Sequence, residues 1–349
     1  MESARSKQFA SSTCHRRWMS GTGKTDLVSV VLPTYNRARL LPATLESVLK
    51  QTHRPIEIIV IDDGSTDETE KIIGRFKKKC DEAKGVSLRA FHQTNRGSPA
   101  ARNLGLIHSR GNYIQHLDSD DLLAPEKIER QMGALKSSEP CDFVWSETAS
   151  FRDSLKNRKP LCGGNTEEPL TDFVRFDSWP WHVWGGLFRR DAVRRLGPWN
   201  ERLLCWGDWE YMVRFLCQRP DVHYLPGTFS FYRLHNEGRL TDFQTTSRGI
   251  KVRLAAIETV EQDLIGSGNM KSAFRKELTR YYYWVGRLAM RKELDDVARR
   301  SLGKALRAPL GPAWLLRSVF MLLLLNISGA HRACKLLSPF SRMESTSGA

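Results

Sequence analysis

Between residues 28 and 136 short apolar runs alternate with segments of helical periodicity, and no other feature of the sequence limits the fold so tightly. Residues 28–32 form a continuous apolar run with one serine, bounded by Pro33, as expected of a strand buried on both faces. Pro42 opens a helical pattern through Leu41, Leu45, Val48 and Leu49. Residues 56–61 read as a second buried strand, and 67–79 as a helix with Ile72, Ile73 and Phe76 inward. A third strand follows at 86–91, a helix at 99–109, a fourth strand at 113–117 and a helix at 125–136. Strands that alternate with helices imply right-handed crossovers. The expected fold is therefore α/β: a doubly wound, mainly parallel sheet with helices on both faces.

In such sheets ligands bind beyond the carboxyl ends of the strands. Those ends are polar here. They read Pro33-Thr34-Tyr35-Asn36, Asp62-Asp63-Gly64-Ser65 and Asp118-Ser119-Asp120-Asp121. Three polar strand ends on one rim point to a nucleotide or metal site. Asp118 and Asp120 offer hard oxygen ligands that suit Mg²⁺ or Mn²⁺, with phosphates and water completing the shell. The plainer alternative is an Asp-rich turn that caps the next helix. Asp62 and Asp63 suit hydrogen bonds from a base or ribose hydroxyls, while Ser65 and Thr66 are explained by helix capping. The Gly-rich dinucleotide signature is missing after the first strand, which argues against an NAD enzyme.

The 349 residues carry a net charge of +15, which by itself suggests a polyanion-binding protein. The charge sits in the tails. Residues 1–26 contribute +3 and residues 251–349 contribute +9, so 27–250 hold only +3. That distribution opposes a nucleic-acid-binding reading. Residues 1–26 are expected to be a basic arm, 27–250 the folded domain, which divides near 135, and 251–349 a basic helical extension. Seven irregularly spaced cysteines suggest reduced thiols in a cytosolic protein, and the N-terminus lacks a secretory apolar stretch. The apolar run at 308–330 holds Arg317 near its centre, so a membrane span is disfavoured. A helix lying on an anionic membrane and a helix packed on the protein both fit.

Four blocks carry a resemblance. VSVVLPTYNRARLLPATLESVLKQT, IEIIVIDDGSTDET, NRGSPAARNLGL and GNYIQHLDSDDLLAPEKIERQ occur in that order between residues 28 and 131. Together they resemble the family 2 glycosyltransferases of GT-A fold, which implies that 27–250 is the catalytic domain, with 27–135 its nucleotide-binding half and 136–250 its acceptor half. The resemblance implies an inverting transfer of a sugar from a nucleotide-diphosphate donor, assisted by Mn²⁺ or Mg²⁺. It places Pro33, Thr34 and Tyr35 at the base, Asp62 and Asp63 at base and ribose, and Arg102 and Asn103 beside the nucleotide. Asp118 and Asp120 become the DxD pair, with Asp120 the more direct metal ligand. Arg102 has a second reading as a salt-bridge partner of one of these aspartates.

An inverting transfer needs one general base to deprotonate the acceptor hydroxyl. The family places it in an acid–Asp–aromatic–acid block, matched here at Asp208, Trp209 and Glu210 and broken at Gly207. Asp208 is the expected base and Glu210 the second choice, against a purely capping role for Asp208. Trp206, Trp209 and Trp184 are candidate sugar platforms, with a hydrophobic core as the alternative. His235, in a Tyr-Arg-Leu-His block, is a candidate metal or diphosphate ligand. A UDP-sugar is the preferred donor over GDP- or dTDP-sugars. The acceptor is read as a saccharide or lipid-linked saccharide, and the setting as cytoplasmic, at the inner face of a membrane if the tail binds lipid. A non-catalytic scaffold of the same fold is the alternative that Gly207 supports.

Overall fold

The computed structural model describes residues 26–138, 140–176, 180–235, 243–307, 316, 318–323 and 325. The basic arm at 1–25 and most of the apolar run at 308–330 lie outside the described residues.

The alternating pattern folds as expected. Strand β1 (Val28–Thr34) leads to helix α1 (Leu41–Leu49), then β2 (Ile56–Asp62), α2 (Thr69–Glu82), β3 (Val86–His92), α3 (Ser98–His108) and β4 (Tyr113–His116). The four strands are parallel in the order β3-β2-β1-β4. Every residue of β1 and β2 is buried, because helices cover both faces. Register brings the polar ends level: Thr34 lies opposite Asp62, and Asp62 opposite His92.

The sheet then turns mixed. After β5 (Leu122–Leu123), α4 (Lys127–Ser137), β6 (Phe143–Phe151), β7 (Lys159–Cys162) and α5 (Pro169–Val174), a short 3-10 turn at Val183–Gly185 enters β8 (Gly186–Arg189). Helices α6 (Arg190–Leu196) and α7 (Gly207–Cys217) precede β9 (Val222–Arg233). β8 pairs antiparallel with β4, β6 pairs antiparallel with β8, and β9 runs parallel to β6, for nine strands among the described residues.

Two close contacts set the frame. Helix α3 packs on β1 at Gly105, where an added Cβ would stand 2.5 Å from Val31 Cγ1. Under the mixed half, Lys127 is wholly buried and donates from Nζ to Gln115 Oε1 at 2.5 Å and Gln131 Oε1 at 2.7 Å. Gln115 in turn donates to the carbonyl of Trp184 at 2.9 Å, and Gln131 to that of Gly185 at 2.9 Å. Burial pushes the Lys127 ammonium well below its ordinary pKa. The network ties α4 and β4 to the 3-10 turn.

The chain divides into two compact units: Met1–Pro169 with Trp179–Asn236, and Leu170–Ser178 with Glu237–Ala349. The second holds α8 (Ser247–Gly266), α9 (Ser272–Arg291) and α10 (Asp295–Ala305). Within it Tyr282 and Lys304 both donate to Glu261 Oε2, at 2.8 and 2.5 Å, joining the three helices. The segment at 170–176 docks there too, with Phe176 N donating to Glu277 Oε2 at 2.9 Å. Among the described residues no helix is long and apolar enough to cross a membrane.

Gly105 and Gly207 should respond oppositely to alanine. At Gly207 an added Cβ meets nothing nearer than Pro99 Cγ at 3.8 Å. Gly105→Ala is expected to destabilise by about 1–3 kcal/mol through overpacking. Gly207→Ala should be neutral or stabilise by up to about 1 kcal/mol. Urea denaturation of the two variants checks the contrast.

Candidate active site

The loops after β1 and β2 are laced to each other. Asn36 adopts a left-handed backbone (φ 49°), which asparagine tolerates. Its N–H donates to Ser65 Oγ at 2.9 Å, and its Oδ1 accepts from Thr66 N at 2.8 Å. Arg37 N donates to Thr69 Oγ1 at 2.9 Å and Ala38 N to Asp67 Oδ2 at 3.0 Å. Pro33 is buried in β1, Tyr35 is 44% exposed, and Thr34 is buried with no partner for its hydroxyl among the described residues. Asp62 accepts from Ser65 N at 3.0 Å and faces His92 Nδ1 at 3.5 Å. Asp63 departs from the sequence expectation of a ligand contact. Its carboxylate accepts from Gln93 Nε2 (2.6 Å), Arg96 N (2.9 Å) and Gly97 N (2.8 Å). It therefore fastens the loop that leads into α3.

That loop delivers Arg102 to the rim. Arg102 Nη2 donates to Asp118 Oδ1 at 2.7 Å, and the guanidinium lies 4.5 Å from the centre of the Trp199 ring. Its Nε has no protein partner among the described residues. Burial opposes its charge, but Asp118 and Asp208 outweigh burial and raise its pKa. One buried cation thus answers two carboxylates, one ending β4 and one beginning α7. The pKa of Asp118 is raised by burial, with Arg102 acting against that and Asp120 and Asp208 adding to it. Asn103, expected at the nucleotide, is turned the other way. It donates to Trp199 O and Glu201 Oε1, both at 3.0 Å, and accepts from Trp199 N at 2.8 Å. Its work is to hold the loop whose Trp199 ring supports Arg102.

Asp120 sits among basic groups. Arg37 Nε lies 3.3 Å and His235 Nε2 3.1 Å from its Oδ2, while Arg233 Nε donates to its main-chain carbonyl at 2.9 Å. Burial works against its ionisation, yet the contacts with His235 and Arg37 prevail and lower its pKa. Asp121 is buried, accepts from Arg233 N at 2.8 Å and leaves Oδ2 without a partner among the described residues. Burial, then Asp120 and Asp118, push its pKa well up.

Helix α7 begins at Gly207, and no side chain caps it. Asp208 therefore stands in the first turn and does not cap. The residue before the helix, Trp206, has a left-handed backbone (φ 61°), a conformation that costs about 1–2 kcal/mol for a non-glycine. Its half-buried ring meets Trp209 edge-on at 5.5 Å. Three expectations are corrected here. Glu210 is fully buried and accepts from Arg214 Nε at 2.7 Å, while Arg214 also holds the carbonyls of Leu196 and Pro198. It is a packing ion pair, not a base at the rim. Trp209 and Trp184 are also buried, at 1% and 4% exposure, so neither ring face is open to a sugar. Of the three tryptophans only Trp206 remains half-open.

Two histidines escaped the sequence reading. His182 stacks on Trp184 at 4.3 Å and lies parallel to Tyr232 at 5.6 Å. Burial lowers its pKa to about 4, with Asp208 pulling the other way. His116 is buried two residues before Asp118 with neither ring nitrogen bonded among the described residues, and burial, reinforced by Arg102, lowers its pKa to about 3. A lone histidine beside an aromatic has no spacing that marks it in sequence. Arg37 was likewise given no role, and Arg233, part of the Tyr-Arg-Leu-His block, was named without one of its own.

Among the described residues no three His, Cys, Asp or Glu side chains form a ready metal cluster. The donor chemistry still fits a divalent cation of the Mn²⁺ or Mg²⁺ kind. Asp118 and Asp120 supply hard oxygens, and the orphaned Oδ2 of buried Asp121 lies beside them in sequence. Such a site is partial and needs oxygens from the ligand to complete it.

Residues 29–197 match the family described as Glycosyl transferase family 2. Asp208 and His235 lie beyond that span. An uncharacterized glycosyltransferase of Rickettsia felis is 45% identical over 131 residues, which is 38% of this chain and 20% of that protein. The chain thus spans about a fifth of the length of the Rickettsia relatives it matches first. S. aureus TarS 1–349, solved in complex with UDP, superposes with a TM-score of 0.61 at 15% identity, over 91% of this chain and 92% of that one. The mannosyltransferase PcManGT from Pyrobaculum calidifontis, solved with GDP-Man and Mn²⁺, gives 0.52 at 15% identity over 94% and 93%. These likenesses establish the fold as GT-A, a mixed sheet with helices on both sides.

The two histidines make stability depend on pH. Unfolded, each takes up a proton near pH 6.5, whereas folded they stay neutral down to about 4 (His182) and about 3 (His116). Stability present above pH 6.5 is lost as pH falls through this window. His182→Gln should flatten the loss by about 1–3 kcal/mol between pH 6.5 and 4, measured by urea titrations across that range.

Proposed function

We propose that this chain, whose residues 29–197 belong to glycosyl transferase family 2, moves a sugar from a nucleotide-diphosphate donor to an acceptor hydroxyl with inversion. The observation that carries this reading is the buried ion pair of Arg102 with Asp118 at the carboxyl rim of the sheet, close enough to Asp208 for that carboxylate to raise the Arg102 pKa as well. The nucleotide end and the base end of a displacement thus share one electrostatic neighbourhood.

The donor's base meets Pro33, the unpartnered hydroxyl of Thr34 and the exposed ring of Tyr35. Asp62 reaches the base or ribose. Asp120 and Asp118 would hold a divalent cation, which when bound would neutralise charge on the departing diphosphate. Asp208 accepts the proton of the acceptor hydroxyl. As that oxygen bonds to C1, the bond from C1 to the phosphate oxygen breaks, and the nucleoside diphosphate leaves with the electron pair. Asp208 stands in the first turn of α7. His182 and Trp206 flank it and shape the acceptor side.

A UDP-sugar is the preferred donor, and the UDP held by TarS supports this while the GDP-Man of PcManGT supports a guanosine donor. The acceptor is a saccharide or a lipid-linked saccharide. The basic tail, net +9 over 251–349, suits a tether to an anionic membrane on the cytoplasmic side.

Asp208→Asn should lower kcat by about 10²–10⁴ while leaving nucleotide affinity within about threefold. Calorimetry with UDP and GDP, alongside a nucleotide-release assay over a panel of sugar donors, checks both halves. Donor affinity lost with transfer retained would remove Asp208 from the role of base. A wild type that binds donor sugars yet neither transfers nor hydrolyses them would be a scaffold.

A further inference from the structure

Asp120 is already occupied by the protein's own basic side chains. The same oxygen, Oδ2, faces Arg37 Nε at 3.3 Å and His235 Nε2 at 3.1 Å. The two partners come from different places: Arg37 from the loop after β1, His235 from beyond the end of β9. The contact is sheltered, with the Arg37 and Asp120 side chains 16% and 20% exposed and His235 9%. Screening by water is weak there, so like charges at contact distance repel strongly. A divalent cation that approached this oxygen alone would meet a guanidinium already in place. A diphosphate changes the balance. Its oxygens offer the guanidinium a bidentate partner at least as good as one carboxylate oxygen. The backbone need not move for this exchange, since Asn36, Arg37 and Ala38 are each fixed through N–H to Ser65, Thr69 and Asp67. Only the side chain beyond the Arg37 Cα has to swing.

We infer that Arg37, seconded by His235, is a latch on Asp120 that makes cation binding conditional on the nucleotide. Without nucleotide the latch holds the carboxylate and the cation binds weakly. When a diphosphate arrives, Arg37 transfers to it and the carboxylate is freed for the cation. This deepens the donor-site reading and rests on it. Arg37 is a positioning residue in this scheme: it acts through Asp120 before the reaction and on the diphosphate during it.

The test is Mn²⁺ binding to the full chain, read from the electron paramagnetic resonance signal of free aqueous Mn²⁺, with and without saturating UDP or GDP. Wild type should bind Mn²⁺ about tenfold or more tightly when nucleotide is present. Arg37→Ala should raise nucleotide-free Mn²⁺ affinity by about three- to tenfold and shrink the nucleotide effect. Arg37→Lys retains the charge and should keep nucleotide-free affinity low. Circular-dichroism melting confirms that each variant is folded before it is scored. The latch is overturned if Arg37→Ala leaves nucleotide-free affinity unchanged, or if Arg37→Lys raises it as much as alanine does. It is equally overturned if wild type binds Mn²⁺ alike with and without nucleotide. Should neither nucleotide bind wild type under any condition, the donor-site reading itself fails and the latch with it.

Discussion

The pair formed by Arg102 and Asp118 joins α3 to the end of β4, in a place where neither partner is well hydrated. Breaking such a pair leaves a charge uncompensated and is strongly unfavourable, whereas the intact pair contributes little net stability. Its value is geometric. Each neighbour reads as a device for holding it. Asp63 ties down the loop that leads into α3, and Asn103 ties down the loop whose Trp199 ring lies against the guanidinium. Asp208 adds a second negative charge from the start of α7. Remove the guanidinium and the two carboxylates would face each other across the rim with only repulsion between them.

The parallel half of the fold was legible because burial on both faces demands unbroken apolar runs. Helix crossovers then demand their own period between those runs. Residues 28–32 and 56–61 meet that demand without ambiguity, and the strands end within a residue or two of the expectation. The mixed half was less legible. β8 and β5 hold four and two residues, too short for a periodic signal. The parallel pairing of β6 with β9 comes from partners some 80 residues apart, which no local pattern announces.

Within the site, sequence spacing located the acids but not their duties. Asp62 and Asp63 are adjacent and chemically alike, yet one accepts a single loop N–H beside a histidine and the other is saturated by three donors. The difference lies in where Gly97 and Arg96 bring their N–H groups, a tertiary fact. Glu210 lies two residues from Asp208 and so on another side of α7, facing the core, where its ion pair with Arg214 helps make its burial tolerable. Trp184 and Trp209 show the same limit, because a tryptophan that fills a sheet and one that receives a sugar look identical in sequence.

Gly105 also sets a tolerance. It lets α3 rest directly on Val31, nearer than any side chain would permit. Arg102 is one helical turn away on the same helix, so the thickness of that contact meters how far the guanidinium extends over the rim. A single methyl inserted at the seam would lift the helix and with it the guanidinium that Asp118 holds. The site is calibrated by an absence, and the calibration is set at a residue that touches nothing in the reaction.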